Sequence, residues 1–324
     1  MKRILVTGGA GYIGSHTVLQ LVDQGYDVVV VDSLIRGYRD AVDPKLLRVA
    51  DLHDAPALDR IFSERPVDAV IHFAAFIAVG ESMQKPEIYF ANNTGGSLAL
   101  FTAMHKAGVK HAVFSSTAAV YGMPSQSPIP ETLPYAAINP YGESKVMTEK
   151  LLDWFDRIYG LCSVVLRYFN ASGADPKGRA GERHDPETHL IPLLFQAIET
   201  GTPITIFGED YPTPDGTCVR DYIHVTDLAQ AHILAVEALL AGGPSNHFNV
   251  GTGTGYSIKQ VIESVERVTG KKVPYKVGRR RDGDPPELVA DSQKLKSTLG
   301  WKPEYADLDR IVETAWRWAS RPAK

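Results

Sequence analysis

The sequence has almost no cysteine. Cys162 and Cys218 are the only two in 324 residues, far apart and outside any CxxC pair, which excludes a disulfide framework and a cysteine zinc site. Both are expected to be buried, reduced thiols. An excess of charge is also missing. Against 38 acidic residues stand 34 basic ones, and no basic stripe is available to neutralise a phosphodiester backbone, so nucleic acid is not an expected partner. No apolar run approaches the ~20 residues that span a bilayer. The opening MKRILVTGG offers only Ile4, Leu5 and Val6 before Thr7 and the glycines, too little for a secretion signal. A cytoplasmic protein with no membrane partner is expected. Internal repeats, low-complexity tracts and long flexible linkers are absent as well.

What is present is an alternation of short β-branched runs with helical patterns, the mark of βαβ units. RILVTG, DVVVVD, DAVIHFA, HAVFSS and SVVLRYF read as strands, with helices over 12–24, about 56–64, 93–107 and 141–159 between them. The fold class is α/β, a doubly wound parallel sheet of the Rossmann type. A final strand ending at RYFN closes this unit near residue 169. Residues 171–188 form a loop rich in Gly, Asp, Pro and charge, and residues 170–324 read as a smaller mixed α/β lobe. RDYIHVTDLA again reads as strand then helix, so a segment near 220–240 is expected to return to the first unit. The outer faces of 93–107 and 141–159 point to pairing with a second copy of the chain, a homodimer.

VTGGAGYIGSH follows the first strand and opens the first helix. Gly8, Gly11 and Gly14 allow a tight turn and close approach of backbone to a pyrophosphate at the positive end of that helix. Asp32 ends the second strand eighteen residues past Gly14, where a carboxylate accepts hydrogen bonds from an adenosine ribose. Its charge repels a 2′-phosphate, which favours NAD over NADP. Arg36 nearby reads as a solvated loop residue.

NPYGESK sets Tyr141 and Lys145 one helical turn apart, so both can face one site. A phenol with an ordinary pKa near 10 is a poor base at neutral pH, and bringing it to about 7 takes roughly 4 kcal/mol. Upstream, HAVFSST ends in the hydroxyls of Ser115, Ser116 and Thr117, at the carboxyl end of a parallel strand where open α/β sheets bind ligands. The glycine loop, the strand-end hydroxyl and Tyr-x-x-x-Lys together resemble the short-chain dehydrogenase/reductase superfamily. The resemblance implies that Thr117 binds the reacting oxygen, Tyr141 moves its proton, and Lys145 binds the nicotinamide ribose while tuning Tyr141.

Within that superfamily, GGAGYIGSHT, HFAAFIAVGESMQKP, FSSTAAVYG, LRYFNASGA, IFGEDYPTPDGTCVRDYIHV and RRRDGDPPELVAD are similar to the UDP-glucose (UDP-galactose) 4-epimerases. The resemblance implies a UDP-sugar substrate and a retained NAD that takes hydride from carbon 4 and returns it to the other face of a 4-keto sugar. It implies cofactor contacts from Tyr12 and Ile13 in the loop, Asp51 and Leu52 near the adenine, Phe73 and Ala74 after the fourth strand, Asn92 at a helix start, Ser115, and Tyr168 near the nicotinamide. It further implies Arg220 and Arg281 on the diphosphate, Asn170 beside it, Phe207 at the uracil, Asp284 near ribose, and Tyr222 and His189 as polar substrate contacts. His184, His189 and His224 are isolated by spacing, so no metal is expected.

Three departures from the better-known members stand out. Thr117 replaces a serine, Ile77 a lysine, and Leu288 a bulky tyrosine beside the sugar's 2-position, which leaves room for an N-acetyl group. A pentose 4-epimerase shares the same machinery and stays open as an alternative. A 4,6-dehydratase needs an acid and a base after the strand-end threonine, where Ala118 and Ala119 stand here. A non-catalytic NAD sensor would have no use for the Tyr141 and Lys145 pair.

Overall fold

The computed structural model describes residues 1–281 and 283–321. In chain order it runs β1 (Arg3–Thr7), α1 (Tyr12–Asp23), β2 (Asp27–Asp32), β3 (Leu47–Val49), α2 (Ala55–Glu64) and β4 (Ala69–His72). Short helices α3 (Val79–Ser82) and α4 (Pro86–Tyr89) lead through a π-helical turn, Phe90–Gly95, into α5 (Gly96–Lys106). Then come β5 (His111–Thr117), α6 (Pro140–Tyr159), β6 (Cys162–Tyr168) and β7 (Asn170–Ser172). The remainder is α7 (Leu190–Thr200), β8 (Ile204–Phe207), β9 (Val219–His224), α8 (Val225–Leu240), β10 (Asn246–Val250) and β11 (Gly255–Ser257), followed by α9 (Ile258–Thr269). Strands β12 (Tyr275–Gly278) and β13 (Glu287–Leu288) precede α10 (Gln293–Leu299) and α11 (Leu308–Ala319).

The main sheet is parallel, in the order β10-β6-β5-β4-β1-β2-β3. The order reverses between β1 and β4, which opens a crevice at their carboxyl ends. Alternation along each strand builds two cores. Ile4 and Val6 pack with Val18 and Leu21 of α1 and Leu228, Ile233 and Val236 of α8. Leu5, between them, packs with Leu58 of α2, Phe101 and Met104 of α5, and Leu152 of α6.

Two expectations are corrected here. The sheet does not close near residue 169, because β10 adds beyond β6 with Phe248 opposite Leu166. The 220–229 segment divides: α8 does return to pack on the main sheet, but β9 joins a separate sheet with β11, β13 and β7. A third apolar cluster lies under α7, α9 and α11, built on Leu194, Phe195, Val261, Val265, Ile311 and Val312. No helix among the described residues is long and apolar enough to cross a membrane.

Phe248 on β10 is 1% exposed. Replacing it with alanine leaves a cavity and should cost about 3–5 kcal/mol in denaturant unfolding. A cost below about 1 kcal/mol, typical of surface positions, would mean that β10 does not close the sheet.

Candidate active site

The loop between β1 and α1 is shaped by what glycine omits. Gly8 has φ 68°, and a Cβ there would meet the backbone N of Ala74 at 2.5 Å. A Cβ at Gly14 would meet Gly8 O at 2.2 Å. Gly11 caps α1 without a side-chain bond, and the first-turn N–H groups have no intrahelical acceptor by geometry. The result is a backbone cradle at the positive end of a helix, beside Phe73 and Ala74 at the end of β4, which suits a dinucleotide pyrophosphate. Asp32 is fixed beside it, accepting from Ala10 N at 2.9 Å and Leu34 N at 2.8 Å. Burial pushes its carboxyl up, against those two backbone hydrogen bonds. Leu34 itself sits at φ 60°, an uncommon conformation for a branched side chain. Asp51 accepts from the backbone and ring of His53, both at 2.8 Å, and its pKa falls. Leu52 is buried in the α2 and α5 core.

Across the crevice, β5 ends in Thr117 and α6 begins at Pro140, with the Asn139 side chain accepting from Gly142 N at 2.8 Å. Tyr141 and Lys145 are 7% and 3% exposed. The Thr117 hydroxyl lies beside the Tyr141 phenol and favours its ionised form, but burial outweighs that influence and raises its pKa. Lys145 Nζ donates to Ser115 O at 2.9 Å and lies 6.0 Å from the centre of the Tyr141 ring. Burial pushes Lys145 down to about 7, with Glu149 pulling the other way. The protein's own groups thus leave the phenol above its ordinary value, where the sequence led us to expect a phenol tuned by Lys145. The Ser115 hydroxyl pairs with Tyr168 OH at 2.6 Å.

Four of the expected substrate residues, Asn170, Arg220, Tyr222 and Leu288, lie on the small sheet, while Phe207 ends β8 in a separate pair with β12. Asn170 on β7 is opposite Tyr222 on β9, and Leu288 on β13 is opposite Arg220. Arg220 is ion-paired with Asp284, and the Arg281 guanidinium lies 4.0 Å from the centre of the Phe207 ring. Leu288 packs against the cluster of Ala118, Tyr121 and Val146, which reaches back towards Thr117. Tyr222 belongs to the apolar cluster under α7, α9 and α11.

Residues 4–251 match the model of the NAD dependent epimerase/dehydratase family. The chain belongs to that family. It is 53% identical over 317 residues to the UDP-glucose 4-epimerase of Lacticaseibacillus casei, covering 97% of this chain and 96% of the relative. A crystal structure of UDP-glucose 4-epimerase from Brucella ovis in complex with NAD superposes with a TM-score of 0.96 at 46% identity, covering 98% and 99% of the two chains. Another, from Stenotrophomonas maltophila with bound NAD and formylated UDP-arabinopyranose, gives 0.95 at 41% identity, covering 98% of each chain.

In this member of the epimerase/dehydratase family several site features escape a reading of the sequence. Asn92 does not start a helix; it lies in the π-helical turn before α5, a feature often found at functional sites. Its neighbour Asn93 is buried and bonds Phe76 N at 2.8 Å, Phe76 O at 3.0 Å and Ser144 Oγ at 3.0 Å, tying the loop after β4 to α6. Tyr211, in the EDYPTPDGT stretch, is buried with a hydroxyl that has no hydrogen-bond partner. Arg36 is exposed, as expected, and pairs with Glu81 at 3.3 Å. Ile77 is exposed on the loop after β4. His224 caps α8 and bonds Thr314 Oγ1 at 2.9 Å, a packing role. His184 and His189 are not isolated. Their rings lie 4.9 Å apart, in a cluster with Glu182 and Glu187. Burial opposes charge on His189, yet the two glutamates push it up to about 10.

Between about pH 7 and 10.5 the unfolded chain holds the Lys145 proton more tightly than the NAD-free fold does, so this lysine makes stability rise with pH across that window. Lys145→Met should remove the dependence. Thermal midpoints of both NAD-free proteins against pH should converge towards the alkaline end, with the variant the more stable near pH 7; parallel curves would refute the burial argument.

Proposed function

We propose that the protein is an isomerase that inverts carbon 4 of UDP-hexoses, interconverting UDP-galactose and UDP-glucose with retained NAD. The observation that carries this reading is the burial of Tyr141, Lys145 and Thr117 together at the sheet edge beside the glycine cradle. Gly8, Gly11, Tyr12, Ile13 and Gly14 would hold the pyrophosphate of NAD, Asp32 its adenosine ribose, and Lys145 its nicotinamide ribose. When bound, NAD supplies a hydride acceptor that later gives the hydride back.

Tyr141 takes the proton of the 4-hydroxyl as carbon 4 is oxidised, and Thr117 holds the same oxygen. Lys145, already short of its ordinary basicity, places a cation near the phenol once the ribose oxygens replace part of its lost hydration. The 4-keto sugar then turns over while the UDP stays anchored. Arg220 and Arg281 suit the diphosphate, because a guanidinium offers paired, charge-assisted bonds. Phe207, with one face stacked on Arg281, offers a surface for uracil. Ala118 and Ala119 after Thr117 carry no acid or base, which disfavours elimination. The Stenotrophomonas relative keeps a pentose substrate in view as the alternative. The face where Leu98, Met147, Trp154 and Ile158 are exposed on α5 and α6 supports a homodimer. Free Cys162 and Cys218 support a reducing, cytoplasmic setting.

Purified protein with no added cofactor should equilibrate UDP-galactose with UDP-glucose by proton NMR, and Tyr141→Phe should lower turnover by about 10²–10⁴-fold while retaining NAD. Conversion of a UDP-pentose alone would transfer the reading to the alternative, and an unaffected variant would remove Tyr141 from the chemistry.

Leu288 sits between Arg220 and the Ala118 cluster, where a larger ring would narrow the sugar site. UDP-N-acetylgalactosamine should therefore be a second substrate. Leu288→Tyr should suppress its turnover at least about tenfold and spare UDP-galactose; equal loss of both activities would refute the assignment.

A further inference from the structure

The segment between β7 and α7 carries Glu182-x-His184-x-x-Glu187-x-His189. Folding brings one donor atom from each of the four residues to within 4.8 Å of all the others. Both imidazoles turn Nδ1 to the same place. His184 Nδ1 lies 3.3 Å from Glu182 and 3.5 Å from Glu187, and His189 Nδ1 lies 2.8 Å and 3.0 Å from the same two carboxylates. The carboxylate side chains are only 8% and 6% exposed.

Ion pairing alone accounts poorly for this arrangement. Glu182 Oε1 and His184 Nδ1 are buried without a hydrogen-bond partner, since their close approaches to the cluster lack hydrogen-bond geometry. Of the four contacts only His189 Nδ1 to Glu187 Oε1, at 3.0 Å, has hydrogen-bond geometry; two ring nitrogens and two carboxylates that converge with the rest unbonded are what a cation requires. Glu187 Oε1 is already held by Thr188 N at 2.7 Å and His189 N at 2.8 Å, and such outer bonds orient a carboxylate for a metal. Ligand atoms of a tetrahedral zinc site are about 3.3–3.6 Å apart. Two of the four nitrogen-to-oxygen spacings, 3.3 Å and 3.5 Å, fall in that range, and the other two, 2.8 Å and 3.0 Å, need only open slightly to admit an ion.

We propose that Glu182, His184, Glu187 and His189 form a binding site for a divalent transition cation of the zinc type. Imidazole and carboxylate donors suit such ions. Four protein ligands leave no open position, so the ion is structural, not catalytic. It pins the segment against the cofactor loops: His184 packs edge-on to Tyr12 at 6.1 Å, and the Arg183 guanidinium lies 3.6 Å from the centre of the Tyr38 ring and pairs with Asp40.

The test uses full-length protein stripped with a chelator, then titrated with Zn²⁺ by calorimetry and with Co²⁺ by visible absorption. The expected result is saturable uptake of one equivalent, the intense bands of four-coordinate cobalt and a raised thermal midpoint. Glu182→Gln and His184→Ala should each weaken uptake at least about tenfold. Circular dichroism and retained NAD report whether each variant is folded, and the near-isosteric Glu182→Gln keeps the test decisive if His184→Ala is not. No saturable uptake by the parent protein would overturn the proposal, as would uptake unchanged in Glu182→Gln.

Discussion

Everything that α6 presents at the sheet edge depends on a pair of charges beyond the reach of water. Arg167 on β6 and Glu149 on α6 meet at 2.6 Å with side chains 5% and 0% exposed. Removing two such ions from water costs several kcal/mol each. The cost is offset by saturation: Arg167 Nη1 also donates to Tyr121 OH and Nη2 to Tyr135 OH, both at 2.9 Å, while Ser116 and Tyr135 donate to the carboxylate. Tyr121 passes the chain on to Asn249 of β10 at 2.8 Å. A buried pair of this kind contributes orientation more than stability. Because Glu149 lies one turn beyond Lys145, fixing it sets the rotation of α6 about its axis, and with it the directions of Lys145 and Tyr141.

The two halves of the site are built from different materials. The cofactor half is mostly backbone: glycines that admit no Cβ, the N–H groups of a helix start, and a carboxylate clamped by Ala10 and Leu34. Such a surface has little freedom to lose on binding, which fits a cofactor that is held through many turnovers. The half proposed for the substrate is built from long side chains, Arg220 with Asp284 and Arg281 with Phe207, which pair with each other in the structure. A firm half and an adjustable half together suit a reaction in which one ligand stays and the other turns over.

Much of this was legible in the sequence, and the remainder was not for identifiable reasons. The glycine loop, Asp32 and the Tyr141 and Lys145 pair are local patterns whose spacing carries their geometry. Strand β3 is three residues, too short to alternate. Strand β10 reads NHFNV, polar at three of five positions, and its place is set by Leu166 and Arg167, far away in the chain. The π-helical turn at Phe90–Gly95 has no periodicity of its own; the buried Asn93 and its bonds to Phe76 and Ser144 mark it only after folding. His184 and His189 look solitary when histidines alone are counted, because their partners are the interleaved Glu182 and Glu187.

The seventh strand also has a bearing on how the chain is made. Strand β10 pairs with β6 only after more than seventy intervening residues have emerged, among them the small sheet's β9. A nascent chain therefore carries β6 as an open edge through much of its synthesis, with unpaired N–H and C=O groups of the kind that recruit foreign strands. The main sheet cannot be completed before β7, β8 and β9, which carry Asn170, Phe207 and Arg220, have been made, so the cofactor platform is not a separable module that matures first.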